Sequence, residues 1–198
     1  MNTVCGAAEL AARLRAGGAA LFPTDTLPAL AATPAHASHL WTLKCRPTHK
    51  PVILMAARAE TLWACLEQPV LPAWRELAER HWPGALTLVL PAQGALVQQL
   101  NPGGNSLGLR IPACAEALEL LGCSGPLATT SANRSGEPAC TSADTAAAAF
   151  PTVPQLGPVP WPPPSGQAST VLAWGPNGRW QLLRAGAVLP PEDDDPPT

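Results

Sequence analysis

The apolar residues of this chain come in short runs of strand length, cut by proline or glycine and alternating with stretches of helical spacing. The longest apolar runs fall well short of the roughly 20 residues needed to cross a bilayer, so a membrane-crossing chain does not fit the pattern. Helices and strands that interleave in this way bury their apolar faces by layering helices on a mixed sheet, so the expected class is α/β (α+β). The length is that of one α/β-sized unit rather than two full domains.

Residues 5–16 place Ala7, Leu10, Ala11 and Leu14 on one helical face, closed by Gly17 and Gly18. AALFPT (19–24) reads as a strand, and AHASHLWTLKC (35–45) as a helix that stops before Pro47, leaving Lys44 and Arg46 at its end. VILMAA (52–57) reads as a buried strand, and 59–81 carries two helical patterns split near Pro69 and Pro72 and ended by Pro83-Gly84. ALTLVLPA (85–92) and SLGLRIP (106–112) read as strands, and PACAEALELLG as a helix from Pro112 to Gly122. PLATTSAN (126–133) is a strand running into a polar turn, and Ser142 is placed to cap a short alanine-rich helix. The proline-rich run 151–166 is expected as an extended surface connection, and STVLAW with RWQLLRAG as a strand pair joined at 175–178.

Charge is close to balanced, with 12 basic and 14 acidic residues. Four of the acidic residues, Glu192 to Asp195, lie in the Pro-flanked segment PPEDDDPPT, which leaves the remainder at +2. That excess suits an anionic small molecule and does not by itself call for nucleic acid. The expected organisation is one domain over 1–189 followed by a disordered acidic, Pro-rich tail over 190–198. Six cysteines without a CxxC pair favour reduced thiols. The N-terminal stretch has no h-region, so a cytoplasmic protein without a membrane segment is expected.

Ten arginines stand against two lysines, and both lysines, Lys44 and Lys50, fall in the heptapeptide KCRPTHK. An ammonium is more compact than a guanidinium and shifts its pKa more readily, so this segment is a place where that difference counts. GxxxxGK[ST] and GxGxxG are both absent. His36, His39, Cys45 and His49 match no standard zinc spacing, and no metal site is expected. Ser131 and Asn133 have the Ser-x-Asn spacing of acyl-transfer enzymes, but SxxK and KTG are missing. What remains is a series of polar segments at expected strand ends: PTDT, KCRPTHKP, S-x-x-x-R-I-P, SANRSG, ST and LLRAG. Together their hydroxyls, amide and cations make a polyphosphate cradle without a P-loop.

FPTDT, K-x-R-x-x-x-K-P, WPGALTLVLP, GLRIP, TTSANRSGEP, STV and LLRAGAV occur in this order over about residues 19–187. In order and spacing they resemble the YrdC-like threonylcarbamoyl-AMP synthases. The resemblance implies an open twisted mixed sheet with a positively charged central cavity. It also implies a nucleotidyltransferase that makes threonylcarbamoyl-AMP and pyrophosphate from L-threonine, bicarbonate and ATP, for the t6A modification of tRNA. ATP with Mg2+ and bicarbonate would then be substrates, with no tightly bound cofactor. A threonylcarbamoyl transferase complex would take the product, and weak tRNA or double-stranded RNA binding is a further implied property.

The same resemblance assigns Lys44, Arg46, Lys50, Ser131 and Asn133 to the catalytic, ATP-facing set, with Ser106 and Arg184 also on the nucleotide. Thr26, Arg110, Thr129 and Ser169 would face threonine, Arg110 through a bidentate contact to its carboxylate. Two departures stand out. PTDTLPAL carries Pro28 and Ala29 where the family has an aromatic residue and a glycine, and SGEPACT carries Ala139 where a hydroxyl is expected. Two rival readings are a non-catalytic RNA-binding module and a carbamoyl-adenylate synthase with another amine acceptor.

Overall fold

Leucine alternates with smaller or polar residues along the central strands, and that alternation gives the sheet two unlike faces. In L-T-L-V-L, Leu86, Leu88 and Leu90 point one way and Thr87 and Val89 the other; in S-L-G-L-R, Leu107 and Leu109 oppose Ser106, Gly108 and Arg110. The computed structural model describes residues 3–188. The segment expected as an acidic tail, 190–198, lies outside the described residues.

In chain order the elements are β1 (Val4–Cys5), α1 (Ala7–Arg15), β2 (Ala19–Phe22), β3 (Ala29–Ala32), a 3-10 turn (Pro34–His36), α2 (Ser38–Lys44), β4 (Ile53–Met55), α3 (Ala59–Ala64) and α4 (Pro72–His81). They continue with β5 (Leu86–Pro91), α5 (Ala95–Leu100), β6 (Ser106–Arg110), α6 (Ala115–Ser124), β7 (Leu127–Ser131), α7 (Ala143–Ala149), β8 (Gln155–Leu156), β9 (Thr170–Trp174) and β10 (Trp180–Arg184). All ten strands join one mixed sheet in the order β1-β8-β2-β3-β7-β4-β6-β5-β9-β10. This is the open α/β sheet that the sequence and the resemblance lead one to expect. No helix among the described residues is long and apolar enough to cross a membrane.

One face of the sheet packs its leucines against α2, α3, α4, α5 and α7, through Leu40, Trp41, Leu62, Trp74, Leu77, Val97, Leu100 and Ala146. Each fully buried leucine contributes roughly 1.5–3 kcal/mol. The second face is covered by α1 and α6, whose Leu10, Leu14, Leu120 and Leu121 pack on Ala20, Phe22, Ala29, Ala31, Met55, Leu127 and Leu156. Among the described residues that second cluster takes nothing from β5, β6 or β9. Half of one sheet face is therefore left without a helix, and the polar alternates of β5, β6 and β7 lie there.

Several local expectations change. The 112–122 helix starts instead at Ala115, after an extended Cys114, and runs to Ser124; the Ala113 N–H ahead of it donates to Asp25 Oδ1 at 3.0 Å. The proline-rich run is not a surface connection throughout. Gln155–Leu156 inserts as a strand between β1 and β2, and Trp161 is buried with its indole N–H on Leu156 O at 2.7 Å. Ser142 caps α7 as expected, within a capping box with Thr145.

Two glycines are expected to respond in opposite directions. A Cβ on Gly186 would stand 2.3 Å from Ala168 O and 2.5 Å from Thr170 N, so the chain beyond β10 lies against β9 only because that atom is missing. Gly186→Ala should cost about 1–3 kcal/mol through overpacking. Gly122, inside α6 with nothing within 4 Å of a Cβ, should gain about 0.4–1 kcal/mol as Gly122→Ala. Thermal unfolding of both variants checks the pair.

A candidate active site in the uncovered half of the sheet

The open half-face holds a cavity of about 480 Å³. Its floor is made of cross-strand neighbours: Ile53 pairs with Gly108 and Thr129, Gly108 with Val89, and Met55 with Arg110. Gly108 keeps the floor low, since a Cβ there would come within 2.8 Å of Ile53 Cγ2. Its wall includes eight of the eleven residues expected from sequence: Thr26, Arg46, Ser106, Arg110, Thr129, Ser131, Ser169 and Arg184. They come from six separate segments of the chain, which strand-end positions bring to one place.

At one end Arg110 is 3% exposed and already engaged. It donates from Nη2 to Asp25 Oδ1 at 2.6 Å, from Nη1 to Thr26 Oγ1 at 2.8 Å and from Nε to Gly84 O at 3.0 Å. Burial lowers its pKa and the Asp25 carboxylate pulls it back up. Three of its five N–H groups are thus committed inside the protein, so its expected bidentate grip on a carboxylate is limited to the two that remain. Asp25 lies in the PTDT motif but had no role in the sequence reading. Here it joins β6, the segment after β2 and the approach to α6.

At the other end Arg184 donates from Nε and Nη2 to Ser169 O, at 3.0 and 2.8 Å, and from Nη2 to Ser169 Oγ at 3.1 Å. A bulge between Leu182 and Arg184 shifts the β9–β10 register, and both Leu183 and Arg184 line the cavity. Arg46 is held by Lys50 O and Pro51 O, at 3.4 and 3.0 Å, with its pKa lowered by burial. Ser106 receives the Asn101 amide on its carbonyl at 3.0 Å and on its hydroxyl at 3.3 Å.

Three expected residues are not on the wall. Lys44, 2% exposed, sits behind the Ser131–Asn133 turn. Its ammonium donates to Ser131 O, to Asn133 O and, at 3.2 Å, to Asn133 Oδ1. Asn133 in turn accepts from Ser131 Oγ at 2.6 Å and donates to Glu137 O at 2.8 Å. The two side chains shape the turn that presents Ser131. Lys50 is exposed on the segment after α2. The wall also includes Thr87 and Asn101, which the sequence reading passed over. Thr87 had left a signal, as the one hydroxyl in a strand of leucine and valine.

Residues 12–186 match the Sua5/YciO/YrdC family model, described as telomere recombination. The threonylcarbamoyl-AMP synthase of Pyrococcus abyssi (strain GE5 / Orsay) is 36% identical over 135 residues, which is 66% of this chain and 39% of that protein. The Mus musculus threonylcarbamoyl-AMP synthase is 33% identical over 187 residues, 90% of this chain and 66% of that one. A crystal structure of P. abyssi Sua5 complexed with L-threonine aligns with a TM-score of 0.83 at 31% identity, over 91% of this chain and 54% of that chain. The chain thus spans about two fifths of the length of the P. abyssi relative.

Lys44 gives this site a pH signature. Burial, aided by repulsion from Arg46, brings its pKa from 10.5 down to about 8, while Cys140 opposes the shift. Between those values the unfolded chain holds a proton that the folded chain has released, so this group's contribution to stability rises with pH across that window. Lys44→Met should remove that rise and, by leaving the Ser131 and Asn133 carbonyls without a donor, lower Tm at pH 7. Denaturant titrations of both proteins from pH 7 to 10.5 measure it; a slope unchanged by the substitution would assign the titration elsewhere.

Proposed function

The chain belongs to the Sua5/YciO/YrdC family, and on that premise we propose that it makes threonylcarbamoyl-AMP from L-threonine, bicarbonate and ATP. The observation that carries the reading is the single cavity wall that gathers Thr26, Arg46, Ser106, Arg110, Thr129, Ser131, Ser169 and Arg184. It is supported by the relatives named threonylcarbamoyl-AMP synthase and by the Sua5 structure with L-threonine.

In the proposed reaction the threonine amine adds to bicarbonate and water leaves, giving a carbamate. A carbamate oxygen then attacks the α-phosphorus of ATP, and pyrophosphate departs. Negative charge grows on the phosphoryl oxygens and the leaving group, where Arg46, Arg184 and the hydroxyls of Ser131 and Ser106 provide fixed donors. Thr26, Thr129, Ser169 and the free N–H groups of Arg110 take the amino acid. Holding three substrates in one cavity supplies a further part of the rate.

Among the described residues, the one carboxylate on the segments that build the cavity's amino-acid end, Asp25, is occupied by Arg110 and the Ala113 N–H. Mg2+ is accordingly assigned to the ATP phosphates, arriving with the nucleotide rather than on a protein carboxylate. The product, a mixed anhydride, suits transfer to a nucleophile on tRNA by a downstream threonylcarbamoyl transferase complex, which makes that complex the expected partner.

The test is pyrophosphate release with ATP, bicarbonate and each amino acid in turn. Threonine is expected to be the preferred acceptor. Because Pro28 and Ala29 leave that end of the wall without an aromatic ring, serine should be rejected by only about 1–3 kcal/mol. Arg46→Ala should reduce turnover at least about tenfold with Tm almost unchanged, since a cavity-lining cation adds little to packing. Turnover with no amino acid preference, or none with threonine, would overturn the assignment.

A further inference from the structure

The segment NPGGNS links α5 to β6 and matches no phosphate-binding glycine motif, yet it brings two cavity-lining side chains, Asn101 and Ser106, onto each other. The Gly104 N–H donates to Asn101 O at 2.9 Å, which closes the turn. Across it Asn101 Nδ2 lies 3.0 Å from Ser106 O and 3.3 Å from Ser106 Oγ. A backbone carbonyl only accepts, so the amide atom beside it is the NH2 group and not the oxygen. An amide nitrogen does not accept, so the contact with Ser106 Oγ has one direction as well: Asn101 donates and the serine oxygen accepts. The serine proton is then turned away from Asn101, and among the described residues no acceptor takes it. Ser106 lines the cavity, where a ligand oxygen can.

Gly104 is part of the same device. A Cβ there would stand 2.2 Å from Asn101 Nδ2, 2.5 Å from its Cγ and 2.6 Å from its Oδ1, so the amide rests on Gly104, and only a residue without a side chain leaves it over Ser106. The location favours an anion. Ser106 opens β6 four residues before Arg110, about 13 Å along the strand from the end that Asp25 neutralises. Arg46 donates to Pro51 O at 3.0 Å, and the next residue, Val52, donates its N–H to Leu100 O at 2.9 Å. A guanidinium is thus tied to the start of the same turn. We propose that Asn101, laid down on Gly104, is a positioning residue for the nucleotide: it holds the Ser106 hydroxyl as a donor to a phosphate oxygen of ATP. This rests on the proposed reading of the cavity as a site for ATP and threonine.

Because Asn101 itself lines the cavity, the experiment has to separate action through Ser106 from direct contact. ATP and L-threonine, each alone, are titrated calorimetrically into the full chain and into Asn101→Ala, Ser106→Ala and Gly104→Ala. The same titrations are made on Asn101→Ala combined with Ser106→Ala and on Asn101→Ala combined with Gly104→Ala. Asn101→Ala should weaken ATP about fivefold, the worth of one hydrogen bond, and leave threonine within about twofold. In the Ser106→Ala background the same substitution should change ATP affinity by less than about twofold, because the hydroxyl it acts through is gone. Gly104→Ala should weaken ATP as Asn101→Ala does, with Tm almost unchanged, since the group it displaces is the end of a flexible side chain. Once Asn101 is replaced by alanine, Gly104→Ala should have no further effect. In turnover Asn101→Ala should raise KM for ATP and leave KM for threonine in place. Unchanged ATP affinity in Asn101→Ala or Gly104→Ala, losses that add in either double variant, or a loss for threonine equal to that for ATP would each overturn the inference. Failure of the unsubstituted protein to bind ATP would instead overturn the reading of the cavity, and the inference with it.

Discussion

The ion pair between Arg110 and Asp25 ties together the parts of the chain that have to meet for the cavity to exist. From one guanidinium, contacts run to Asp25 and Thr26 after β2 and to Gly84 before β5, and Asp25 continues to the Ala113 N–H before α6. Arg110 itself ends β6, so three segments far apart in sequence meet at a single side chain. Taking both charges out of water costs several kcal/mol, and the geometry offsets it with short charge-assisted bonds on both partners. Removing either partner would leave the other charge buried, at about 3–5 kcal/mol. The pair accordingly fixes the relative placement of these segments more than it adds to net stability.

Around that knot the sheet has a division of labour. On one face the leucines of β5, β6 and β9 are sealed by helices, which gives those strands a rigid anchor. On the other, α1 and α6 stop at β4, and the polar alternates of the same strands are left to line a cavity. A strand with one face sealed cannot slip by a single residue without turning its leucines into the cavity and its threonine, serine and arginine into the core. The register that protects the core therefore also fixes the positions of Thr87, Ser106, Arg110 and Thr129.

Much of this was legible. The period-two alternation in L-T-L-V-L and S-L-G-L-R, the proline and glycine boundaries and the capping serine all led to the observed elements. The misses have physical causes. β3 is written in ALAA, whose side chains carry little strand preference; its place is set by hydrogen bonds to β2 and β7. β8 is hidden in a proline-rich run and becomes a strand because the sheet supplies partners on both sides. Lys44 shows what composition can and cannot tell. Its rarity marked the segment, but whether an ammonium meets a ligand or a set of backbone carbonyls depends on where the chain 87 residues away turns, and no local pattern holds that information.

The distribution of compensated charge decides where an anion settles. Arg110, although the most buried arginine in the cavity, is neutralised by Asp25, so its field into the open space is that of a dipole. Arg46 and Arg184 contact carbonyl and hydroxyl oxygens, and among the described residues neither pairs with a carboxylate. On the proposed reading a polyphosphate would be drawn to those two, where charge is uncompensated. An amino acid, whose own charges cancel, would be matched by the neutralised end, where Thr26, Thr129 and the remaining Arg110 donors offer direction without net charge. On that reading one cavity would sort a highly charged substrate from a zwitterionic one by balancing a single arginine and leaving two others unbalanced.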